Sequence, residues 1–159
     1  MTDIQTAPNR IPWPPIIYVA AIAISIVLGV LYPLPWLPSG TLPEILFAAG
    51  WLAIIGAIAL VVSAVRAMSG ARTTIRADRP ADHLVTTGAF SVTRNPLYLA
   101  STLLMIGIGL IAGSIWFLVL AVLAAFATQK LAIEREEKHL TARFGKKYRD
   151  YMKRVRRWI

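Results

Sequence analysis

The sequence has no cysteine and few acidic residues. Of its 159 residues, 8 are Asp or Glu and 17 are Lys or Arg, which gives a formal net charge of +9 at pH 7. The absence of thiols excludes cysteine nucleophiles, cysteine-ligated zinc, a disulfide scaffold and a prenyl anchor. Only 16% of the residues are charged and 57% are hydrophobic. This composition argues against both a soluble globule and a disordered chain, and the length permits one domain.

Charged residues are almost absent from two long apolar stretches. Between residues 14 and 65 the only charged residue is Glu44, and residues 97–129 contain none. Five arginines lie between these stretches, and eleven basic residues follow from Lys130 onwards. Apolar runs of about 20 residues with basic flanks are typical of helices that cross a bilayer core about 30 Å thick. The sequence therefore predicts an all-α, polytopic membrane protein, with residues 1–159 as a single integral-membrane domain.

We predict about four transmembrane helices. The first apolar run is bounded by prolines, which suit a first helical turn but cannot continue a helix; a signal peptide is the alternative, although no small-x-small cleavage site follows. A helix over residues 97–129 would be about 50 Å long, so we expect a hairpin at Gly113-Ser114 rather than one strongly tilted helix. Gly107, Gly109 and Gly113 permit close helix contact. The predicted spans are residues 16–32, 46–65, 97–112 and 115–133.

The basic residues lie on one side of this arrangement. Four spans place both ends of the chain and a loop of residues 66–95 on the same side, whereas the opposite connections carry no basic residue. By the positive-inside rule, that side is cytoplasmic. Glycines and prolines punctuate the loop, so we expect irregular backbone there. The predicted protein is thus a multi-pass membrane protein with cytoplasmic N- and C-termini.

The residues after the fourth span, 134–159, form a basic amphipathic tail. Gly145 predicts a break between two helices. A basic amphipathic helix beside a membrane is expected to bind the anionic leaflet, with about 1 kcal/mol per basic residue near the surface. This placement of the charge favours membrane lipids over nucleic acid as the partner. Apolar residues recur every three or four positions on one face of the tail: Leu140, Phe144, Tyr148, Tyr151, Val155 and Ile159.

Three of the eight acidic residues, Glu134, Glu136 and Glu137, lie within four positions at the membrane exit. One interpretation is a salt-bridged helix surface, in which Glu134 pairs with Lys130 or Lys138. Neither histidine has a second histidine or a carboxylate at ligand spacing, so we predict no metal site. A glycine-rich phosphate loop after a strand and a GxSxG motif are also absent.

Two segments carry a motif when they are read together. The first, TTGAFSVTRNPLYLA, spans residues 86–100, and the second, EREEKHLTARFGKKYRDY, spans residues 134–151. They resemble the integral-membrane methyltransferases related to isoprenylcysteine carboxyl methyltransferase and phospholipid N-methyltransferase. That family has a Gly-x-aromatic turn, Arg-His-Pro-x-Tyr at the start of a membrane helix, and a later Glu-Glu pair. Asn95 replaces the family's histidine; because Asn cannot titrate near neutrality, a positioning role fits it better than proton transfer.

The resemblance implies a bound S-adenosylmethionine, held on the cytoplasmic side between the third and fourth helices and the tail. It implies that Arg94 faces the cofactor's carboxylate, that the paired glutamates face its ammonium, ribose hydroxyls or sulfonium, and that Tyr98 contacts the nucleoside. The candidate catalytic residues are Arg94 and Glu137. The candidate cofactor-binding residues are Gly88, Asn95, Pro96, Tyr98, Glu136 and Glu137.

The function that the resemblance implies is S-adenosylmethionine-dependent methyl transfer to a small lipophilic acceptor at the cytoplasmic membrane face. The acceptor is an isoprenylcysteine-like carboxylate, which needs no base, or a phospholipid amine, whose proton a glutamate could accept. The alternative is a non-catalytic membrane anchor or lipid-binding protein that retains the scaffold. Asn95 favours this alternative, whereas the paired acids that follow an intact RNPLY favour the enzyme.

Overall fold

The computed structural model describes residues 13–34, 40–70 and 83–159, and every regular element in these ranges is helical. The elements are α1 (Trp13–Leu31), α2 (Leu42–Gly70), a 3-10 turn (Gly88–Ser91), α3 (Pro96–Ala112), α4 (Ile115–Thr128), a π segment (Gln129–Ile133), α5 (Glu134–Phe144) and α6 (Lys146–Arg154). The predicted all-α architecture is confirmed, since the described residues form no strand.

The first two helices are longer than the apolar runs that predict them. Helix α1 is described from Trp13, and Pro14 and Pro15 suit a first helical turn, where backbone N–H groups lack helical partners. Helix α2 continues to Gly70, so the first five residues of the predicted 66–95 loop are helical. No proline or glycine interrupts the sequence between Arg66 and Gly70. With 29 residues, α2 is about 44 Å long and extends beyond a bilayer core.

The third apolar run forms the predicted hairpin. Gly113 ends α3 in the left-handed region, with φ of 60°, and the Ser114 N–H donates to the Gly109 carbonyl at 2.9 Å. A single tilted helix over residues 97–129 is therefore wrong. After the turn, α4 continues through the π segment and α5 as one helical stretch of 30 residues, Ile115–Phe144.

Three helices in the described part of the chain are long and apolar enough to cross a membrane: Trp13–Leu31, Leu42–Gly70 and Ile115–Phe144. Helix α3 is also apolar but has only 17 residues, so the fourth span stays a prediction. Large apolar side chains face outwards, such as Val30 and Leu52 at 75% and 70% exposure. These features identify an integral membrane protein.

Small residues bring the membrane helices into close contact. A Cβ atom added at Gly107 would lie 2.8 Å from the Gly50 carbonyl oxygen and 2.6 Å from Ile54 Cγ1, so α2 and α3 meet through their backbones. A Cβ atom at Gly109 would lie 2.9 Å from Phe117 Cβ in α4. The close contacts predicted at Gly107 and Gly109 are confirmed.

Helix α1 joins the bundle through a buried tyrosine. The Tyr18 hydroxyl lies 2.7 Å from Thr102 Oγ1 and donates to the Tyr98 carbonyl at 3.2 Å. It therefore connects α1 to the first turns of α3, beside the two segments that carry the motif.

The tail forms two helices with their apolar face turned towards the protein. Gly145 separates α5 from α6 with φ of 52°, as predicted. Tyr148, Tyr151 and Val155 are buried together, with Leu84 packed against them. The periodic apolar face thus covers part of the 83–95 segment.

Candidate functional site

The 3-10 turn is fixed from two sides. The Ala89 N–H donates to Ser63 Oγ of α2 at 2.9 Å, and the Tyr151 hydroxyl of α6 donates to the Phe90 carbonyl at 2.6 Å. Gly88 has φ of 60°, and a Cβ atom there would lie 3.1 Å from Ser63 Oγ. The structure therefore places Gly88, a candidate cofactor-binding residue, at a close approach to α2.

Asn95 and Pro96 begin α3. Pro96 occupies the first turn, where its missing N–H leaves no helical bond unmade, and the Asn95 carbonyl accepts from the Leu99 N–H at 3.0 Å. The Asn95 side chain is buried, and its Nδ2 donates to the Arg157 carbonyl at 3.0 Å. Asn95 thus connects the start of α3 to the segment that follows α6.

Tyr98 and Glu136 form the first contact between the two motif segments. The Tyr98 hydroxyl donates to Glu136 Oε1 at 2.7 Å. Both side chains are partly buried, and within the described ranges Glu136 forms no ion pair. The Glu136 carboxylate therefore has a neutral partner and can still form an ion pair with a cation.

Glu137 has two cationic partners. Arg157 binds it with both arms, Nε to Oε1 at 3.0 Å and Nη2 to Oε2 at 2.7 Å. Arg94 Nη1 lies 3.2 Å from Oε1, with the Arg94 and Glu137 side chains 11% and 14% exposed. The hydrogen bond with Glu137 also raises the pKa of Arg157. Planar fork contacts of this kind are among the strongest polar contacts in proteins.

Glu134 differs from both neighbours, because it forms an exposed ion pair with Lys130 at 2.8 Å. The interpretation of a salt-bridged surface therefore holds for Glu134 and Lys130. It fails for Glu136 and Glu137, whose partners come from the 83–98 segment or from Arg157.

Arg94 has donors that the described residues leave unsatisfied. Its Nε and Nη1 are buried without a hydrogen-bond partner there, although Nη1 keeps its ion-pair contact with Glu137. Burial raises the pKa of Tyr148 to about 12, and the nearby Arg94 opposes this shift. Buried guanidinium donors are normally paired, so the site suits an additional anionic group beside Arg94.

Several residues that shape this site carried no signal in the sequence. The buried Thr93 hydroxyl donates to the Arg157 carbonyl at 3.1 Å, and Trp158 Nε1 donates to Gln129 Oε1 at 2.9 Å. Arg157 is one of eleven basic residues after Gln129, and nothing in that run separates it from its neighbour Arg156. The structure thus adds Thr93, Arg157 and Trp158 to the candidate residues.

The predicted site residues converge in part. Arg94, Tyr98, Glu136 and Glu137 lie together, whereas Gly88 and Pro96 shape the backbone and Asn95 holds the segment after α6. In residues 13–34, 40–70 and 83–159, no three histidine, aspartate or glutamate side chains are grouped as a metal site would require.

One family match covers the first motif segment, the helices between the two segments and most of the second segment. The model of the phospholipid methyltransferase family matches residues 45–147, from α2 into the start of α6. The chain belongs to the phospholipid methyltransferase family. The resemblance predicted from RNPLY and the Glu-Glu pair is thereby confirmed, and the protein is a member of a family of membrane methyltransferases.

A curated relative shares part of this region. The chain is 37% identical over 77 residues to the nickel-cobalt-cadmium resistance protein NccN of Alcaligenes xylosoxydans xylosoxydans. The match covers 48% of this chain and 36% of the relative, so the chain spans only about a third of that protein. No solved structure matches the chain significantly.

Proposed function

We propose that this protein transfers a methyl group from S-adenosylmethionine to a lipophilic acceptor at the cytoplasmic face of a membrane. One observation carries the proposal: at the junction of α3 and α5, the buried Arg94 Nε lies near the Glu136–Glu137 pair and has no acceptor among the described residues, in which Glu136 has only the Tyr98 phenol as a partner. A cation and an anion with free capacity, side by side, suit a zwitterionic ligand that carries an additional positive charge.

The residues present fit the cofactor's charged groups. Arg94 would bind the carboxylate, because its buried Nε donor has no acceptor among the described residues. Glu136 would bind the cationic part, oriented by the Tyr98 hydroxyl at 2.7 Å. Both oxygens of Glu137 already accept from guanidinium groups, so Glu137 would hold Arg94 in place. This division assigns Glu136 to the ligand and Glu137 to the site's frame.

The cofactor supplies an activated methyl group when it is bound. The chain's own residues then have to align the acceptor and exclude water, which can lower the barrier by several kcal/mol. A lipid acceptor would enter between helices from the bilayer. A phospholipid amine is the acceptor that Glu136 favours, because the carboxylate would attract the amine and accept its proton.

We also propose that α3 forms the fourth span. Its 17 residues extend about 25 Å, which is near the lower limit for a membrane helix. With four spans, the 83–95 segment, α5 and α6 lie on one side, and their basic residues make that side cytoplasmic.

The basic face of α6 is proposed to contact anionic lipid. Its apolar face is covered by the protein itself, so the contact would be electrostatic and without insertion. Binding to vesicles rich in phosphatidylserine should therefore weaken steeply as salt increases. The exposed basic residues of α6 are Lys146, Lys147, Arg149, Lys153 and Arg154.

The test uses the detergent-purified protein, methyl-labelled S-adenosylmethionine and a total lipid extract. We expect labelled lipid, and we expect Glu136→Gln to reduce it about tenfold or more, because a charged contact is lost. The matched control is Lys138→Gln in the same helix, an exposed residue whose loss should change little. Absence of both cofactor binding and labelled lipid would favour the non-catalytic anchor.

A further inference from the structure

The residues after α6, Val155–Ile159, fold back across the candidate site, and we call them the docking segment. Its backbone runs beside the turn before α3. The Arg94 N–H donates to the Arg156 carbonyl at 3.0 Å, and the Arg157 carbonyl accepts from both Thr93 Oγ1 and Asn95 Nδ2. Thr93 is fully buried and Asn95 is 9% exposed. The backbone of the docking segment is therefore held by buried partners.

Its side chains reach the helix that carries the acidic residues. The Arg157 guanidinium binds both oxygens of Glu137, and Trp158 Nε1 donates to Gln129 Oε1 at 2.9 Å. Gln129 begins the π segment, and Glu137 lies in the first turn of α5, just after that segment. The docking segment thus contacts the helix on both sides of its π segment.

The π segment sets the direction in which the acidic residues point. The Glu134 N–H donates to the Gln129 carbonyl, five residues earlier, so one turn holds an additional residue. Relaxation of that turn to α geometry would rotate all later residues by about 100° around the helix axis. Glu136 would then turn away from Tyr98, and Glu137 away from Arg94. Contacts at Gln129 and Glu137 oppose this rotation.

We propose that the docking segment positions the paired glutamates, with Arg157 as the positioning residue that holds Glu137 against Arg94. This inference rests on the proposed function, since the groups it orients are those assigned to the cofactor. Arg157 is fixed at its carbonyl and at its guanidinium, so its role is to maintain one geometry of the site. Its action on the cofactor passes through Glu137 and Arg94.

The kinetic test compares three substitutions in the full chain. Arg157→Ala should raise the KM for S-adenosylmethionine about tenfold or more, with a smaller change in kcat, because a charge-assisted fork contact is lost. Arg157→Lys should recover only part of this loss, since lysine keeps the charge but not the fork. Arg156→Ala is the matched control, because that side chain is exposed and only its carbonyl is used.

A milder variant keeps the test valid if Arg157→Ala fails to fold. Trp158→Phe removes the hydrogen bond to Gln129 but keeps an aromatic ring, and it should raise the same KM about threefold. An unchanged KM in both Arg157→Lys and Trp158→Phe, with Arg157→Ala unfolded, would overturn the proposal. A loss of folded enzyme alone would lower the maximal rate without raising KM.

A distance measurement separates this inference from the proposed function. The chain has no cysteine, so spin labels can be attached to Val30→Cys and Ile159→Cys, both exposed positions. Pulsed electron paramagnetic resonance should give a narrow distribution of distances between the two labels. Arg157→Ala should broaden this distribution, and Arg156→Ala should leave it unchanged. A broadened distribution with unchanged cofactor KM would overturn the positioning role. Absence of cofactor binding in the wild-type protein, with the narrow distribution intact, would refute the proposed function and this inference with it.

Discussion

The membrane bundle and the site above it are held together by different physics. In the bundle, many of the buried residues are small, such as Ala64 and Ala121 at 0% exposure, and α2 meets α3 through Gly50 and Gly107. Lipid tails are as apolar as the side chains, so association depends on close packing. In the site, hydrogen bonds and ion pairs provide the main connections. Substitutions in the bundle should therefore affect assembly, and substitutions of the site residues assigned to the ligand should affect ligand binding.

Within the site, two adjacent glutamates also differ in the partners that hold them. Glu137 binds two guanidinium groups, whereas Glu136 binds one phenol. A carboxylate that pairs with two cations, one of them nearly buried, holds the site in shape, and removing it leaves both cations unpaired. A carboxylate with a neutral partner can still form an ion pair with a cationic ligand.

The largest effect is expected from Glu137→Gln. Loss of this carboxylate leaves Arg94 and Arg157 without their anion, and we expect the free energy of unfolding to fall by about 3 kcal/mol. Urea unfolding in detergent, followed by circular dichroism, measures this change. Glu134→Gln serves as the control, because its ion pair with Lys130 is exposed. Equal losses of stability in Glu137→Gln and Glu134→Gln would contradict the distinction between a glutamate that holds the site together and one in a surface ion pair.

Gly107→Val should disrupt the bundle. A Cβ atom at this position would lie 2.6 Å from Ile54 Cγ1 and 2.8 Å from the Gly50 carbonyl oxygen, so α2 and α3 must separate. We expect destabilisation of about 2 kcal/mol, as for other overpacked interiors. The protein that remains folded should bind cofactor with nearly unchanged affinity. Gly56→Ala is the control, since nothing lies within 4 Å of a Cβ atom there.

Glu136→Gln should separate binding from stability. The glutamine can still accept from the Tyr98 hydroxyl, so thermal unfolding should change little. Cofactor affinity should fall about tenfold, because the ligand loses a charged partner. Titration calorimetry and thermal unfolding of the same preparation check both parts. A large loss of stability without a loss of affinity would assign Glu136 to the frame as well.

The smallest effect is expected from Lys130→Gln. This substitution removes one exposed, solvent-screened ion pair with Glu134. Neither the unfolding transition nor cofactor affinity should change measurably. A clear loss of cofactor affinity would show that the Lys130–Glu134 pair contributes to the cofactor site.

Local signals made much of the fold predictable. The Gly113-Ser114 turn follows from the length of an uncharged run that exceeds a bilayer, and Gly145 follows from its position within an amphipathic pattern. The end of α2 was less predictable. Arg66 marks the end of the apolar run but does not stop a helix, which continues to Gly70.

The site was predictable in its residues but not in its contacts. The pairing of Tyr98 with Glu136, 38 positions apart, depends on the hairpin and on the π segment, which no sequence period reveals. The choice of Arg157 over Arg156 depends on a backbone held by Thr93 and Asn95. Likewise, the periodicity predicted the apolar face of the tail, but it could not show whether that face packs against a membrane leaflet or against the rest of the protein.

The most direct test of the central claim is the binding of S-adenosylhomocysteine, the product form of the cofactor, to the detergent-purified protein by titration calorimetry. We predict one site per chain in the wild-type protein, and affinity at least about tenfold weaker in Arg94→Ala, because the buried Nε donor of Arg94 is assigned to the ligand's carboxylate. Arg149→Ala, an exposed arginine on α6, should bind like the wild type. Absence of binding in the wild-type protein, or equal affinity in Arg94→Ala, would contradict the account.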